Sequence, residues 1–283
     1  YLFYESPVMS PALQQRYPHY RTFVGHHEHD AARTLRFDWT PAGFHAQVIG
    51  SNGRMYIDPY ISGETYAVYD ARDLEIRGQH RECGVKKQAR KRAVAANTQA
   101  KSGEALRIYR LAIACTGEYA QFHGGTVEAV MASYVTLVNR VTGIYELDVA
   151  VRFVLVDNTD ELIYLDGSSD PFNNNNSNQL IDQSQSVINS TIGSANYDVG
   201  HTVGQSIGGL ASLGVICKTN SKASGITGGD EPTGDAFYVD YVAHELGHQF
   251  GADHTFAGNQ DSCSGNINWS TAVEPGSGST IMA

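Results

Sequence analysis

The sequence predicts an α/β (α+β) fold in which a mixed, twisted sheet with helices follows a smaller β-rich unit. Residues 1–80 contain short β-branched and aromatic runs separated by turn signals. After residue 104, apolar residues alternate between strand-like and helix-like spacing. Between these parts lies a polar segment with five basic residues in the seven from 86 to 92. We expect two folded parts joined by an exposed linker.

Composition excludes several classes of protein. Of the 283 residues, 18% are charged and 10% aromatic, which argues against a disordered chain. The net charge of −10 disfavours nucleic acid as a partner. No apolar run approaches the roughly 20 residues of a membrane helix, and four cysteines are too few for a disulfide-framed miniature fold. The composition therefore predicts a soluble protein with no nucleic-acid or membrane partner.

The charge is divided unevenly along the chain. Residues 1–92 contain 13 Lys and Arg against 10 Asp and Glu, a net +3, whereas residues 93–283 carry −13. This asymmetry indicates two segments with different roles, and opposite signs favour the docking of one on the other. The chain starts at Tyr1 and stops at Ala283 after a Gly/Ser-rich turn, so we interpret it as a fragment.

Three regions follow from these patterns: a β-rich unit over 1–85, a basic and polar linker over 86–103, and a larger domain over 104–283. In the first, strands are expected at 34–39 and 43–49, with a hairpin at Asn52-Gly53. The basic run of the linker fits a protease-accessible connection, and its alternative is a nucleic-acid or localisation patch.

The larger domain is expected to contain strands and three helices in order. The third helix places Asp235 at its N-cap and stops at Gly251. The predicted elements are a strand at 105–114, a helix at 118–140 that ends before Gly143, a strand at 145–156, a helix at 178–192, extended stretches at 197–203 and 207–217, and the helix at 236–250.

The third helix carries the sharpest chemical signal, His244-Glu245-Leu246-Gly247-His248. Positions i and i+4 share one helix face, so both imidazoles can bind one ion. Gly251 allows the chain to break sharply, and His254 can then return as a third nitrogen ligand. Three imidazoles and one open position are typical of a catalytic zinc site. A pair of structural histidines on a buried helix is the alternative.

The full pattern, H-E-x-x-H-x-x-G-x-x-H, resembles that of the metzincin metallopeptidases. This resemblance implies zinc bound by His244, His248 and His254, and Glu245 as general base and then general acid. It also implies a methionine turn beneath the metal, which Met282 in Ser279-Thr280-Ile281-Met282-Ala283 supplies. The implied activity is hydrolysis of protein or peptide substrates by a zinc metalloendopeptidase truncated just after this turn.

Within the metzincins, the chain most resembles reprolysin-like (M12B, adamalysin-like) bacterial secreted proteases. The likeness spans most of residues 104–283, including Gly117-Glu118-Tyr119 and the stretch 208–217. It implies secretion, a signal peptide upstream, and an N-terminal propeptide over 1–85. One departure is Thr255-Phe256 after the third histidine, where adamalysins have Asp and pappalysins resemble this chain more closely.

Metzincins bind an extended peptide along an edge strand that lies antiparallel to the cleft. The implied counterpart is the stretch 208–214, whose glycines leave the backbone accessible. Its candidate substrate-binding residues are Gly208, Gly209, Leu210 and Ala211. A glycine-rich surface loop is the alternative.

Arg81-Glu82-Cys83-Gly84-Val85 precedes the basic linker. A thiolate is a strong zinc ligand and could occupy the open position of the site. Cys-Gly-Val occurs in the cysteine switch of several metzincin prodomains, although here no proline precedes Arg81. The resemblance implies that Cys83 binds zinc in a latent state and that the propeptide inhibits its own enzyme. The alternatives are a disulfide or an inert thiol.

Other candidates carry weaker signals. The cluster His26-His27-Glu28-His29-Asp30 could bind a metal, but a solvated loop explains it as well. Asp166, Asp170 and the asparagines 173–176 offer oxygen ligands for Ca²⁺, although their spacing matches no calcium loop. His123 and His201 are expected to be structural. The pairing of Cys115, Cys217 and Cys263 stays open.

Two other functions are alternatives to an endopeptidase. The first is a catalytically silent zinc-binding interaction domain, which the presence of Glu245 disfavours. The second is a zinc exopeptidase of another clan with a downstream glutamate as third ligand. Glu274 lies in a Pro/Gly turn and is a poor candidate for that role, whereas Gly251 and His254 fit the metzincin spacing.

Overall fold

The computed structural model describes residues 1–61, 64–73, 83–86, 105–260 and 263–283, which form two six-stranded sheets. The predicted linker at 86–103 lies outside the described residues, apart from Lys86. No helix in these ranges is long and apolar enough to cross a bilayer.

The N-terminal sheet is an antiparallel meander, which confirms the β-rich unit expected there. Its strands are β1 (Leu2–Glu5), β2 (Arg21–His27), β3 (Asp30–Thr40), β4 (Gly43–Gly50), β5 (Gly53–Ile61) and β6 (Thr65–Asp70). The predicted hairpin at Asn52-Gly53 joins β4 to β5. Helix α1 (Pro11–Arg16) was not predicted; Ser10 caps it and Pro11 starts it.

The second sheet is mixed, as predicted, and has the order β7-β11-β12-β10-β8-β9. Its strands are β7 (Cys83–Lys86), β8 (Arg107–Cys115), β9 (Val151–Leu155), β10 (Val199–Gln205), β11 (Gly209–Ser212) and β12 (Gly225–Gly229). Strands β8, β9, β10 and β12 are parallel, whereas β11 runs antiparallel to β12. Strand β7 adds to β11 in parallel and so forms the edge opposite β9.

Helices cover both faces of this sheet. They are α2 (Gly117–Phe122), α3 (Val127–Val149), α4 (Ser177–Ile192), α5 (Gly234–Phe237) and α6 (Ala243–Phe250), with 3₁₀ turns at Ala71–Asp73, Thr159–Leu162 and Ser194–Asn196. One apolar cluster lies between β8, β9, α3 and α6, and a second lies under α4. Helix α3 is buried from Val130 to Tyr145 because the N-terminal sheet covers its outer side.

The prediction of one helix at 118–140 is wrong: the segment forms two helices, and the second ends later than predicted. Gly124 and Gly125 adopt φ of 98° and 68° and separate α2 from α3. Helix α3 then continues through Gly143, where a Cβ would lie 2.7 Å from Gln47 Oε1. This glycine therefore permits the close approach of the N-terminal sheet and does not end the helix.

Two further boundaries differ from the prediction. The strand expected at 145–156 starts only at Val151, because Ala150 ends α3 in the left-handed region with φ 53°. Asp235 is not an N-cap: Thr233 precedes α5, and the Asp235 carboxylate pairs with buried Arg140 at 2.8 Å. A π-helical segment, Tyr238–Val242, connects α5 to α6.

The other predicted elements are close to those observed. Strand β8 and helix α4 coincide with the expected strand and helix to within two residues at each end. Of the extended stretch at 207–217, only Gly209–Ser212 is a strand. Cys217 has φ 62°, which is incompatible with continued pairing.

Candidate metal centre

Helix α6 brings His244 and His248 together one turn apart, as the i, i+4 spacing predicts. Gly251 ends the helix with φ 104°, a conformation that other residues adopt at a cost. The chain then turns back and places His254 beside the first two histidines. All three side chains are buried.

The three histidines surround the thiol of Cys83. Its Sγ lies 3.1 Å from His244 Nε2, 3.3 Å from His248 Nε2 and 3.2 Å from His254 Nε2. These four candidate ligand atoms lie within 4.8 Å of one another. Strand β7 therefore delivers Cys83 to the centre of the histidine cluster.

Backbone carbonyls fix the other nitrogen of each ring. His244 Nδ1 donates to Ile281 O at 2.5 Å, and His248 Nδ1 donates to Ala252 O at 2.8 Å. His254 Nδ1 donates to Asn266 O, also at 2.8 Å. With the proton held on Nδ1, each Nε2 turns its lone pair toward the same point, which is how proteins orient metal-binding histidines.

The donor set fits zinc. Tetrahedral zinc, with bonds of about 2.3 Å to sulfur and about 2.0–2.1 Å to nitrogen, holds S and N about 3.5 Å apart. The observed separations of 3.1–3.3 Å are close to this value. Burial, followed by the neighbouring His244, lowers the pKa of His248 to about 3. That histidine is therefore neutral at pH 7, the form that binds metal.

Glu245 lies beside this cluster and is fully buried. Neither carboxylate oxygen has a hydrogen-bond partner among the described residues. Burial raises the pKa of Glu245 well above its usual value. Because a buried carboxylate that only the Cys83 thiol approaches is costly, its position beside a cluster of candidate metal ligands indicates a site completed by a further group.

Gly209 makes room for this carboxylate. A Cβ at residue 209 would overlap Glu245 Oε1 and would lie 2.5 Å from the ring of Tyr241. Gly209 is expected from the sequence to offer an accessible backbone to substrate. Its contact with Glu245 is a separate requirement that only the folded chain reveals.

Burial, followed by the Glu245 carboxylate, raises the pKa of the Cys83 thiol. Without a bound cation, the Cys83 thiol therefore favours its protonated form, unlike a reactive cysteine with a lowered pKa. A cation bound by the three imidazoles would oppose both effects, because it favours the thiolate.

Met282 packs against α6, the helix that carries His244 and His248. A Cβ on Gly247 would overlap Met282 Sδ, so the thioether packs directly against α6. Thr255 links this turn to the third histidine: its N–H donates to Met282 O at 3.0 Å, and its hydroxyl donates to Glu274 Oε1 at 2.6 Å. The residue that departs from the adamalysin pattern therefore anchors the methionine turn.

Glu274 serves this turn and is not among the grouped metal ligands. Its carboxylate accepts hydrogen bonds from Thr255, Thr280 and Ser279 N. The hydroxyl bonds from Thr255 and Thr280 are the largest causes that lower its pKa to about 2. These contacts argue against the exopeptidase alternative, in which Glu274 would be a ligand.

Strand β11 forms one wall beside the centre. Gly209 pairs with Cys83 and Leu210 with Gly84, so β7 occupies the edge that was expected to bind an extended peptide. Gly208 lies just before β11, and its carbonyl accepts from Gly228 N at 2.8 Å. A cavity of about 450 Å³ continues from this edge, between the start of α4 and Ser264 and Asn266.

The weaker metal candidates do not join a cluster in the part of the chain that the structure describes. Residues 26–30 form the end of β2 and the turn to β3, where His29 N donates to His27 Nδ1. Asp166 accepts from Ser168 N, and Asp170 accepts from Gly117 N at 2.6 Å. These two carboxylates organise loops, and nothing in the structure supports Ca²⁺.

The remaining histidines and cysteines have local roles. Burial lowers the pKa of both His123 and His201 to about 4, in keeping with structural, neutral side chains. His201 accepts or donates through both nitrogens, to Gln249 at 2.9 Å and Thr227 at 2.8 Å. The cysteines 83, 115, 217 and 263 are all free thiols.

The backbone carbonyls that orient the three histidines could not be predicted from the sequence. The carbonyls of Ile281, Ala252 and Asn266 leave no signature, because every residue has one. Asp253, which accepts from His254 N and Asn268 and so holds the chain at the third histidine, was also not predicted. Its position directly before His254 was the one available hint.

Comparison with known proteins agrees with this geometry. No curated protein matches the chain. Residues 105–283 match the family described as metallo-peptidase family M12B, reprolysin-like, whose members use zinc. This match covers well over half of the chain and includes every residue of the cluster except Cys83. The chain therefore belongs to the reprolysin-like M12B metallopeptidases, within the metzincins.

Proposed function

We propose that this protein is a secreted zinc metalloendopeptidase held latent by its own N-terminal region. The observation that carries the proposal is the convergence of three Nε2 atoms on one point, with Glu245 buried beside them. His244, His248 and His254 would hold the zinc ion. Residues 1–85 would be the propeptide, 86–103 the processing region and 104–283 the peptidase domain.

Zinc, when bound, supplies a Lewis acid that polarises the scissile carbonyl and makes a water molecule more acidic. Glu245 takes the proton of that water and passes it to the leaving amine. Its buried position supports this role, because burial raises its affinity for a proton. The contact with Gly209 places the carboxylate beside β11, the strand along which the substrate would lie.

Substrate would lie along β11 as an added strand, a mode in which backbone hydrogen bonds supply affinity. Gly208, Gly209, Leu210 and Ala211 form the backbone of that edge. Met282 would support the histidines from below. The adjoining cavity of about 450 Å³ offers room for a substrate side chain beside the centre.

Strand β7 would keep the enzyme inactive because it covers both the histidine cluster and the edge of β11. Its thiol occupies the centre of the histidines, and its backbone occupies β11. A substrate therefore meets neither a free ligand position nor a free strand edge until β7 leaves. Cys83 would be the fourth zinc ligand in this state.

The test uses the full chain, assayed for bound zinc and for cleavage of casein. Glu245→Ala should retain about one zinc per chain and lose at least about 10³-fold in activity after the linker is processed. Glu161→Ala, which removes an exposed carboxylate, is the matched control and should have normal activity.

Full activity in Glu245→Ala would contradict the mechanism. Zinc binding without activity in any processed form would favour the silent interaction domain. His254→Ala should lose zinc; if it binds zinc as the natural chain does, the proposed ligand set is wrong.

A further inference from the structure

Side chains from the first 20 residues belong to the hydrophobic core of residues 105–283, which we call the peptidase region. Val8, Met9, Leu13 and Tyr20 belong to the same buried cluster as α3, β8 and β9. Met9 pairs with Leu155 at the end of β9, where Leu155 N donates to Val8 O and Ser10 N donates to Leu155 O. This segment therefore extends the second sheet beyond its β9 edge.

Side chains reinforce the attachment at that edge. Arg16 pairs with Asp160 at 2.7 Å, and Tyr17 Oη donates to the same carboxylate at 3.0 Å. Tyr20 Oη donates to the carbonyl of Glu128 in the first turn of α3. Each bond joins the N-terminal segment to the region after residue 104.

The inner face of the N-terminal sheet adds a second attachment, on α3. Arg36 Nη1 donates to Asn139 Oδ1 at 3.0 Å, and Thr136 Oγ1 donates to Asp38 at 2.8 Å. Arg140 Nη2 pairs with Asp58 at 2.6 Å. Apart from Asp58, these side chains are buried, so the partners are matched to each other and shielded from water.

The strap, Cys83–Lys86 (β7), is attached elsewhere. It forms the edge of the second sheet opposite β9, on β11, and reaches the histidines through Cys83. Neither the β9 edge nor the face of α3 depends on it. None of the contacts named above for residues 1–73 includes a residue of the strap, so its removal from β11 leaves them in place.

We propose that residues 1–73, the N-terminal module, stay bound to the peptidase region as a non-covalent subunit after the linker is cut. Activation then displaces the strap alone. The statement about activation rests on the proposed function, whereas retention of the module does not. A cut at 87–104 alone leaves the strap tethered to the bound module, at high effective concentration near its site.

Retention can be tested in the full chain carrying Glu245→Ala, which removes self-cleavage. Residues 93–99 are replaced by the recognition sequence of a specific protease, and the protein is cut to completion. Size-exclusion chromatography at about 1 µM should show both fragments in one peak. Separate elution of the N-terminal fragment would overturn the proposal.

A pair of variants tests whether the observed edge is responsible. Asp160→Ala removes the partner of Arg16 and Tyr17 and should accelerate loss of the cut fragment by about tenfold. Glu161→Ala changes the adjacent exposed carboxylate and should leave the rate unchanged. Equal rates in the two variants would show that this attachment does not hold the module.

A second arm, with Glu245 intact, separates retention from catalysis. A further protease site replaces residues 74–80, so that two cuts free the strap. Peptidase activity should appear while the fragment containing residues 1–73 still co-elutes. Activity that appears only after this fragment leaves would overturn the proposal. Absence of activity with a co-eluting fragment would refute the proposed function and leave retention standing.

Discussion

Single residues decide whether the Glu245 carboxylate can occupy its place. The carboxylate lies where a side chain at residue 209 would have to be, and Tyr241 closes the remaining space. A Cβ at this position can be accommodated only if the Glu245 carboxylate, the Tyr241 ring or the strand shifts. Movement of about 1 Å at a catalytic group is costly, because the reacting atoms must be aligned.

We therefore expect Gly209→Ala to lower kcat by about 10²-fold or more while zinc content stays at about one per chain. Gly229→Ala on neighbouring β12 is the control, since its nearest atom is 3.5 Å from the added Cβ. Zinc analysis and steady-state kinetics check the prediction. Normal kcat in Gly209→Ala would mean that the strand gives way without affecting Glu245.

Cys83 should limit the activity of the uncut chain. Cys83→Ala removes the sulfur at 3.1–3.3 Å from the three Nε2 atoms but leaves β7 on β11. We expect activity in the uncut chain to rise by about tenfold and to remain below that of the processed enzyme, because the strand edge stays covered. Cleavage of a short fluorogenic peptide measures this.

Cys217→Ala provides the matched control, because Cys217 is an exposed free thiol outside the cluster. It should not change the activity of the uncut chain. An equal rise in both variants would indicate a general effect of losing a thiol. No rise in Cys83→Ala would argue that β7 alone enforces latency.

At this scale, local spacing predicted that the three histidines come together. His244 and His248 follow from helix geometry, and Gly251 explains how His254 returns. The orienting carbonyls and the Gly209–Glu245 contact could not be predicted, because both depend on which distant backbone segments meet at α6. The position of Cys83 beside the histidines was predicted only from the family resemblance, because nothing in residues 81–85 specifies their distance from α6.

Among the elements, α6 is anchored to the sheet by a buried polar network. His201 on β10 binds Gln249 through Nδ1 and Thr227 on β12 through Nε2. Gln249 Nε2 also donates to Gly200 O at 2.8 Å. Because Gln249 directly follows His248, this network fixes the depth at which the helix presents its histidines.

Burial makes this network sensitive to acid. The pKa of His201 is about 4 in the folded protein and 6.5 in its ordinary state. As pH falls from 6.5 to 4, the unfolded chain binds the proton before the folded chain does. The free energy of unfolding therefore decreases across this window, and His201 lowers it by nothing above the window. The shift corresponds to at most about 3 kcal/mol.

We expect His201→Gln to flatten the dependence of unfolding free energy on pH between 7 and 4.5. Urea titrations of the metal-free protein at both values measure the effect. His26→Gln, which changes an exposed histidine on β2, should keep the natural slope. If the slope of His201→Gln matched that of the natural chain, His201 would not be the neutral buried group described above.

Element types were easier to predict than element ends. Apolar periodicity gave β8 and α4 nearly in place, because each has one face on a core. Periodicity could not locate the end of α3, since this helix is buried on all sides and its apolar pattern runs into that of β9. Asp235 looked like a cap by position, but Arg140 binds its carboxylate from another helix.

Across the whole molecule, the positive charge of residues 1–92 lies in the basic run 86–92, because residues 1–85 contain 8 Lys and Arg against 10 Asp and Glu. Within the described part of the chain, three ion pairs join a cation of the N-terminal module to an anion of the peptidase region: Arg16–Asp160, Arg36–Glu146 and Arg54–Asp240. The pair Arg140–Asp58 has the opposite sense. Net charge therefore predicts neither the attraction between these two acidic parts nor its place on α3 and β9, because individual ion pairs decide both.

The shared core leads us to expect one unfolding transition for both sheets. Met9 lies in the cluster of the second sheet, and α3, buried from Val130 to Tyr145, packs against both β3 and β9. Neither sheet can open without exposing the other, and this is the condition for cooperative unfolding. Hydrogen exchange of the metal-free protein in urea should give one midpoint for peptides from β3, α3 and β8.

Met9→Ala should lower the free energy of unfolding equally for all three peptides, by about 2 kcal/mol or more, because it leaves a cavity in the common core. Met55→Ala is the matched control, since Met55 is 38% exposed on the N-terminal sheet. Two separate midpoints, or a shift confined to β3, would mean that the sheets are independent bodies. The shared core would then not couple them, and each sheet would have to be stable without the other.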